Sequence, residues 1–329
     1  MLCVMAILLG GCRKDLCYNH YREAQFDINW EYAWERDYGK HWPSIWSVDT
    51  YGMTYEELQP SMSESVTMLD YNEEGEVSQN FFTSESGKAA LTEGTHSFLF
   101  YNNDTEYIIF NNMASLPTAS ATTSTRTRST FVNSHTDERT VNAPDVLYGT
   151  FMEDIPAIDI HQTLALKATL RPLVYTYLVR YEFQTGADYI SLARGALSGM
   201  AESIYLRDGY TSEKTATVLY DCTLASWGVQ AIVKSFGAPG FPDEYYSSRT
   251  GQREIRHYAL NLEVMLKNGN MKTFDFDITE QMQNQPRGGV IVVKGLIIAE
   301  DEIGSDSGFD VTINDWGEFE DIDMPVKPM

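Results

Sequence analysis

The chain has 329 residues, four of them cysteines, and a formal net charge of −23 at pH 7. Such an acidic surface repels phosphate backbones, and without a basic stripe to offset it the composition argues against nucleic-acid binding. The length suffices for two domains, and no apolar run approaches the roughly 20 residues that a membrane-spanning helix needs.

The chain opens with an apolar segment, Met1–Leu9, which is too short to cross a bilayer and lacks the polar stripe of a packed helix. Its length and position are typical of the apolar part of a secretory signal peptide. The junction Leu9-Gly10-Gly11-Cys12 resembles a bacterial lipobox, which predicts cleavage between Gly11 and Cys12 and a signal peptide of residues 1–11. Because no Lys or Arg precedes the apolar segment, we expect the natural start codon to lie upstream.

The cysteine after the predicted cleavage site indicates how the protein would be attached to a membrane. Cys12 would accept a diacylglycerol and an acyl chain such as palmitate, which would anchor the tail of residues 12–22 to a membrane. Besides this covalent lipid we expect no cofactor and no metal, because metal-ligand spacing is absent. Cys3 leaves with the signal peptide, and Cys17 and Cys222 either form a disulfide in an oxidising periplasm or remain two unpaired thiols.

Tryptophan and tyrosine recur between residues 30 and 46, interleaved with charged residues. Exposed aromatic faces stack on sugar rings, so Trp34, Trp42 and Trp46 are candidate glycan-binding residues. Aromatic side chains are also common in cores and interfaces. The alternative is therefore that Trp30 ends the first strand pointing inward, while the others pack a long loop onto the domain.

Apolar and polar residues alternate along the body of the chain, which is the period of strands with one buried face. The pattern includes residues 164–170, 175–183 and 258–266. The last run is followed by Lys267-Asn268-Gly269-Asn270 and a second alternating run, which predicts a tight hairpin. Another hairpin is predicted at Asn102-Asn103-Asp104-Thr105. Many short strands and few helical patterns predict an all-β fold of sandwiches.

The domain boundary is predicted from two interruptions of the strand pattern. Residues 116–145 are rich in Thr and Ser and nearly lack apolar residues, so we expect a long loop that contributes no core. The second interruption, Met152–Pro156, marks the predicted boundary. It gives an N-terminal sandwich at residues 23–154 and a C-terminal sandwich with an acidic tail at residues 155–329.

Catalytic signals are weak, and we expect a non-enzyme. The six histidines are scattered, and Ser198 lies in Ala-Leu-Ser-Gly-Met rather than in the Gly-x-Ser-x-Gly motif of hydrolases. The acidic stretch at residues 300–310 does not match the spacing of an EF-hand calcium loop. We interpret it as a solvated loop.

Four segments, in order along the chain, are CRKDLCY (12–18), NNDTEYIIF (102–110), ALSGMAESI (196–204) and INDWGEFEDIDM (313–324). Together they resemble a family of Bacteroidales lipoproteins that is grouped with fimbrillin-like and minor fimbrial subunit proteins. The resemblance implies two tandem β-sandwiches of transthyretin-like topology and a lipid-anchored position in the outer membrane, facing the cell surface. It also implies other fimbrial subunits as partners, joined when a β-strand adds to an open sheet edge.

These features favour a subunit acting in fimbria assembly or cell adhesion, with a host molecule or a glycan as a further ligand. The resemblance implies that shaft subunits are cut at an exposed Arg after the first strand, but Arg126 and Arg128 lie too far along the chain for this. We therefore expect an anchor or accessory subunit, whose strands near Val290–Ile298 and Phe309–Trp316 would pair with a partner. The alternative is an outer-membrane lipoprotein that binds carbohydrate through residues 30–46.

Overall fold

The computed structural model describes residues 22–36, 39–127, 135, 137–158, 163–241 and 256–303. Strands dominate these residues, and the predicted all-β fold of two sandwiches is confirmed. The predicted signal peptide and the lipidation site Cys12 lie outside the described residues. Within the described ranges, no helix has both the length and the apolar character needed to span a membrane.

Strands and helices are numbered in chain order. The strands are β1 (Arg22–Trp30), β2 (Ser65–Asn72), β3 (Val77–Thr83), β4 (Ser86–Leu91), β5 (Gly94–Tyr101), β6 (Ile108–Asn111), β7 (Ser120–Thr123), β8 (Arg139–Asn142), β9 (Tyr148–Ala157), β10 (Leu164–Pro172), β11 (Tyr175–Thr185), β12 (Ile190–Ala201), β13 (Ser203–Tyr205), β14 (Thr215–Asp221), β15 (Thr223–Ala225), β16 (Gly228–Ser235), β17 (Ala259–Leu266), β18 (Met271–Asp277) and β19 (Gly289–Ile297). The helices are α1 (Trp42–Ile45), α2 (Val48–Tyr51), α3 (Thr279–Met282) and α4 (Glu300–Ile303), with 3₁₀ turns at Glu56–Leu58, Leu116–Thr118 and Ala187–Tyr189.

The N-terminal sandwich is one seven-stranded sheet, in the order β3-β2-β5-β9-β10-β1-β4, that folds over on itself. Alternate residues of β1, namely Ala24, Phe26 and Ile28, face its core. The ring centroid of Phe26 lies 5.4 Å from that of Phe82 in β3 and 5.2 Å from that of Phe98 in β5. The first strand therefore packs against strands that are distant in the sheet order.

The C-terminal sandwich packs a four-stranded sheet, β15-β16-β11-β19, against a five-stranded sheet, β18-β17-β12-β14-β8. Their shared core contains Tyr177 and Tyr181 from β11 and Leu260 from β17. The predicted hairpin around Asn268 and Gly269 is confirmed, because β17 and β18 are antiparallel neighbours. Gly269 adopts a φ of 84°, which the tight turn requires and which most residues avoid.

Two predictions about local structure are wrong because distant strands pair instead. The hairpin predicted at residues 102–105 does not form: β5 pairs with β2 and β9, whereas β6 pairs with β7 in a separate sheet, β13-β7-β6. Residues 116–145, expected to contribute no core, include β7 and β8 and bury Leu116, Ala121 and Val141. A few apolar residues suffice there because neighbouring strands cover them.

The predicted domain boundary at residues 154 and 155 also needs correction, because it falls inside β9. Strands β9 and β10 complete the N-terminal sheet, and β10 runs parallel to β1 with Leu164 opposite Ala24. Strand β8, which precedes them in the chain, pairs instead with β14 of the C-terminal sandwich. The two sandwiches thus exchange segments, and no single cut of the chain separates them.

A buried apolar core, which we call the joint, connects the two sandwiches. It includes Leu99 and Leu147 from the N-terminal side, Ile204 from the three-stranded sheet, Phe236 from the segment after β16, and Leu173 between β10 and β11. Each of these side chains is at most 2% exposed. The sandwiches therefore share a core instead of being joined by a solvated linker.

Candidate functional site at the β19 edge

The chain between β1 and β2 crosses from the N-terminal sandwich to the outer face of the four-stranded sheet. We call residues 34–58, of which 37 and 38 lie outside the described residues, the covering segment. Two main-chain hydrogen bonds hold its start. The N–H of Thr176 donates to the carbonyl of Trp34 at 2.9 Å, and the N–H of Arg36 donates to the carbonyl of Arg287 at 2.8 Å.

The aromatic side chains of the covering segment face the sheet. Trp34 is fully buried and Trp42 is 8% exposed, and both belong to one apolar cluster with Leu178 of β11 and Val290 of β19. The half-buried ring of Trp46 packs at 5.7 Å, centroid to centroid, from that of Trp34. The aromatic residues thus pack a long loop onto the domain, as the alternative interpretation of this stretch expected.

This burial corrects part of the predicted glycan site. Protein covers the ring faces of Trp34 and nearly all of Trp42, so neither ring is available for stacking on a sugar. Trp46 keeps partial exposure, and glycan binding there stays a prediction.

Trp30 lies at the end of β1. Its indole N–H donates to the carbonyl of Ser84 at 2.7 Å, and its ring makes an edge contact with that of Tyr148.

A buried cation lies between the covering segment and the sheet. Arg180 of β11 is 5% exposed, and its guanidinium lies 4.0 Å from the ring centroid of Trp227 and 5.8 Å from that of Tyr51. Glu182 supplies a carboxylate at 3.4 Å. Burial raises the pKa of Tyr51, against the opposing charge of Arg180. The aromatic and acidic neighbours therefore compensate the charge of Arg180 within the fold.

Strand β19 coincides with the predicted pairing region Val290–Ile298 and is the outer strand of its sheet. It runs parallel to β11, with Val290 opposite Leu178 and Val292 opposite Arg180. On the other side of β19, the side-chain amides of two glutamines, Gln281 and Gln285, bind its backbone. The other predicted pairing strand, Phe309–Trp316, lies outside the described residues.

The loop that leads into β19 is held by several parts of the C-terminal sandwich. The guanidinium of Arg287 lies 4.2 Å from the ring centroid of Phe241 and donates to the hydroxyl of Tyr175 at 3.1 Å and to the carbonyl of Gly209. The N–H of Ala238 donates to the carbonyl of Pro286 at 2.7 Å. These contacts fix the position at which β19 begins.

The structure also brings together side chains that the sequence did not predict to meet. His135, His257, Asp275 and Asp277 line a cavity of about 510 Å³. Asp277 accepts the N–H of Thr279 at 2.8 Å, and hydrogen bonds from Thr279 lower the pKa of this carboxyl. A carboxylate that stays ionised is unsuited to act as a general acid at neutral pH. Only the tertiary structure could reveal this grouping, because its histidines come from distant parts of the chain.

The remaining predicted site residues are placed as follows. Gly11, Cys12 and Cys17 lie outside the described residues, and Cys222 is half-buried between β14 and β15, so the disulfide stays a prediction. Ser198 is fully buried, and its hydroxyl oxygen lies 2.9 Å from that of Thr217, so Ser198 is not exposed as a nucleophile. In the part of the chain that the structure describes, no three His, Cys, Asp or Glu side chains are grouped to hold a metal ion.

A family model, described as a domain of unknown function (DUF5119), matches residues 52–221, which is just over half of the chain. The chain belongs to this family. No curated protein matches it significantly.

Two solved structures illustrate what the DUF5119 chain is similar to. The first is a candidate adhesin from Bacteroides ovatus, with 16% identity, coverage of 85% of this chain and 94% of that chain, and a TM-score of 0.55. The second is the fimbrial anchor protein Mfa2 from Porphyromonas gingivalis, with 11% identity, coverage of 83% and 90%, and a TM-score of 0.44. The first similarity shows that the fold is shared across nearly the whole length of the adhesin.

Proposed function

We propose that this protein is a lipid-anchored component of a bacterial outer membrane, exposed at the cell surface, and that it acts as an anchor or accessory subunit in fimbria assembly or cell adhesion. The observation that carries the proposal is the fold shared with the Bacteroides ovatus candidate adhesin over 85% of this chain. The buried joint supports it further, because two sandwiches with a common core can transmit a pulling force between a membrane and a partner.

The lipobox sequence supports the membrane anchor. The described body begins at Arg22, so nine residues separate it from the proposed lipid on Cys12. Even fully extended, such a tail spans only about 30 Å. The lipid would therefore hold the N-terminal sandwich close to the membrane surface.

The proposed partners are other fimbrial subunits that bind by strand addition at a sheet edge, and a host molecule or a glycan as an adhesive ligand. Strand addition satisfies a whole row of backbone hydrogen bonds at once. The net charge of −23 favours a soluble, well-separated surface protein and does not by itself select a ligand.

The proposal is tested on whole cells that express the native gene, with a Cys12→Ala variant as the matched control. Cells are labelled with a palmitate analogue, intact cells are treated with protease, and the protein is then examined by gel electrophoresis after mild denaturation. We expect label on the wild type only, protease access from outside, and the protein in high-molecular-weight assemblies.

Each readout tests one part of the proposal. Equal labelling of wild type and Cys12→Ala would overturn the lipid anchor, and protection from protease would overturn surface exposure. A lipidated, exposed protein found only as a monomer would overturn the role in fimbria assembly. Glycan binding would then be tested with Trp46→Ala, since Trp46 is the partly exposed member of the predicted glycan set.

A further inference from the structure

The outer edge of β19 has backbone groups that could pair with another strand. In a parallel ladder, successive residues direct their N–H and C=O groups alternately to the two sides. Because Val290 and Val292 bind partners on the outer side, Ile291 and Val293 direct these groups toward β11. An outer strand of this kind is a template for strand addition unless something occupies its edge.

Two glutamine side chains occupy this edge. Gln285 accepts the N–H of Val290 through Oε1 at 2.7 Å and donates through Nε2 to the carbonyl of Val290 at 3.0 Å. Gln281 makes the same pair of bonds with Val292, both at 3.0 Å. A carboxamide carries the same donor and acceptor as a peptide group. The two side-chain amides therefore occupy the positions at which the backbone of a neighbouring strand would pair with β19.

The surrounding residues hold this arrangement in place. Gln285 is 4% exposed, and its Nε2 also donates to the carbonyl of Gln281 at 3.1 Å. Between them, Met282 is fully buried in the core and anchors α3. Residue 289 must be glycine, because a Cβ there would lie only 2.0 Å from Oε1 of Gln285 and the backbone has a φ of 151°.

We propose that Gln281 and Gln285 form an edge lock, a pair of side chains that closes β19 to strand addition at Val290 and Val292. The lock prevents two copies of the chain from pairing through this edge and leaves strand addition to other edges of the molecule. The edge-lock proposal concerns only the self-association of this chain, so its test does not depend on the proposed fimbrial role.

The test uses the full chain in detergent, as wild type and as Gln281→Ala, with Gln283→Ala as the matched control. Gln281 is half-buried, so its truncation should leave the fold intact, whereas Gln283 is an exposed glutamine of the same segment. Residue-resolved hydrogen exchange is measured at Val292 and at its neighbour Ile291, at a protein concentration low enough to keep each variant monomeric, because a paired strand would itself protect the N–H of Val292. Light scattering after size-exclusion chromatography then measures the oligomeric state over a range of protein concentrations.

For Gln281→Ala we expect about tenfold faster exchange at Val292, the effect of losing one hydrogen bond, and unchanged exchange at Ile291. We also expect concentration-dependent oligomers in this variant, while the wild type and Gln283→Ala keep one state. Unchanged exchange at Val292 would show that Gln281 does not cap the edge. Faster exchange without oligomers would show that the cap does not prevent strand pairing. Either result would overturn the proposal.

Discussion

Asp70 and His96 form a buried polar pair inside the N-terminal sandwich. The Nδ1 atom of His96 lies 2.7 Å from a carboxylate oxygen of Asp70, and its Nε2 lies 3.2 Å from the carbonyl of Thr92. A carbonyl can only accept, so the contact with Thr92 requires Nε2 to be the donor. Burial raises the pKa of Asp70 above its ordinary value of 3.8, against the opposing contacts of His96 and Ser78.

This shift predicts how the stability depends on pH. A carboxyl whose pKa is higher in the folded state binds its proton more tightly there, so its contribution is full below about pH 3.8 and is lost as the pH rises through the raised pKa. Between pH 4 and 7, the free energy of unfolding of the wild type should therefore fall relative to that of Asp70→Asn. Urea denaturation of both proteins across this range measures the difference. Parallel pH profiles would contradict the prediction.

At the scale of elements, the covering segment is held by buried aromatic area more than by its own secondary structure. Its helices, α1 and α2, have four residues each, which is too short to be stable alone. Trp34 is fully buried, and its ring contacts those of Trp46 and Tyr55. The outer face of β11 and β19 would be exposed without it.

We therefore expect Trp34→Ala to lower the free energy of unfolding by about 3–5 kcal/mol, the usual cost of emptying a large aromatic site. Chemical denaturation followed by circular dichroism measures this loss. The control is Tyr32→Ala, two residues away, whose side chain is 42% exposed and should cost about 1 kcal/mol or less. Equal losses for the two variants would show that the covering segment contributes little to stability.

For the whole molecule, the joint makes the two sandwiches interdependent. Leu173 is 1% exposed within a core drawn from both sandwiches and from the three-stranded sheet. The exchange of segments reinforces this coupling, because β8 pairs with the C-terminal sandwich before β9 and β10 return to the N-terminal sheet. Neither sandwich is a continuous piece of chain that could be excised.

The molecule should accordingly unfold in one calorimetric transition, and Leu173→Ala should destabilise both sandwiches by about 2–5 kcal/mol. Hydrogen exchange at β5 and β17 reports on the two sandwiches separately, and we expect both to become faster together. Ile232→Ala, at a side chain that is 50% exposed on β16, serves as the control and should change neither. Two separate transitions, or faster exchange in one sandwich alone, would contradict the coupling.

The candidate site could be predicted only in part from the sequence. A local apolar pattern predicts the strand character of residues 290–298, and β19 confirms it. No sequence pattern predicts the roles of Gln281 and Gln285, because two glutamines four residues apart are also common on solvated surfaces. The spacing of the two glutamines places both amides on the backbone of β19 only because α3 lies beside this strand and Gly289 leaves room for the amide of Gln285. Likewise, Trp34 and Trp46 have similar sequence surroundings but different exposure.

The sequence alone predicts the features that depend on neighbouring residues along the chain, namely strands and turns. Alternation predicts strands because side chains point to opposite faces at every step, and Asn268-Gly269 predicts a turn because of its backbone freedom. Only the tertiary structure shows which elements contact one another. Strand β1 pairs with β10, strands β5 and β6 belong to different sheets, and the covering segment packs on β11 and β19. Pairing of this kind follows from the burial of area between residues far apart in the chain, which no local pattern encodes.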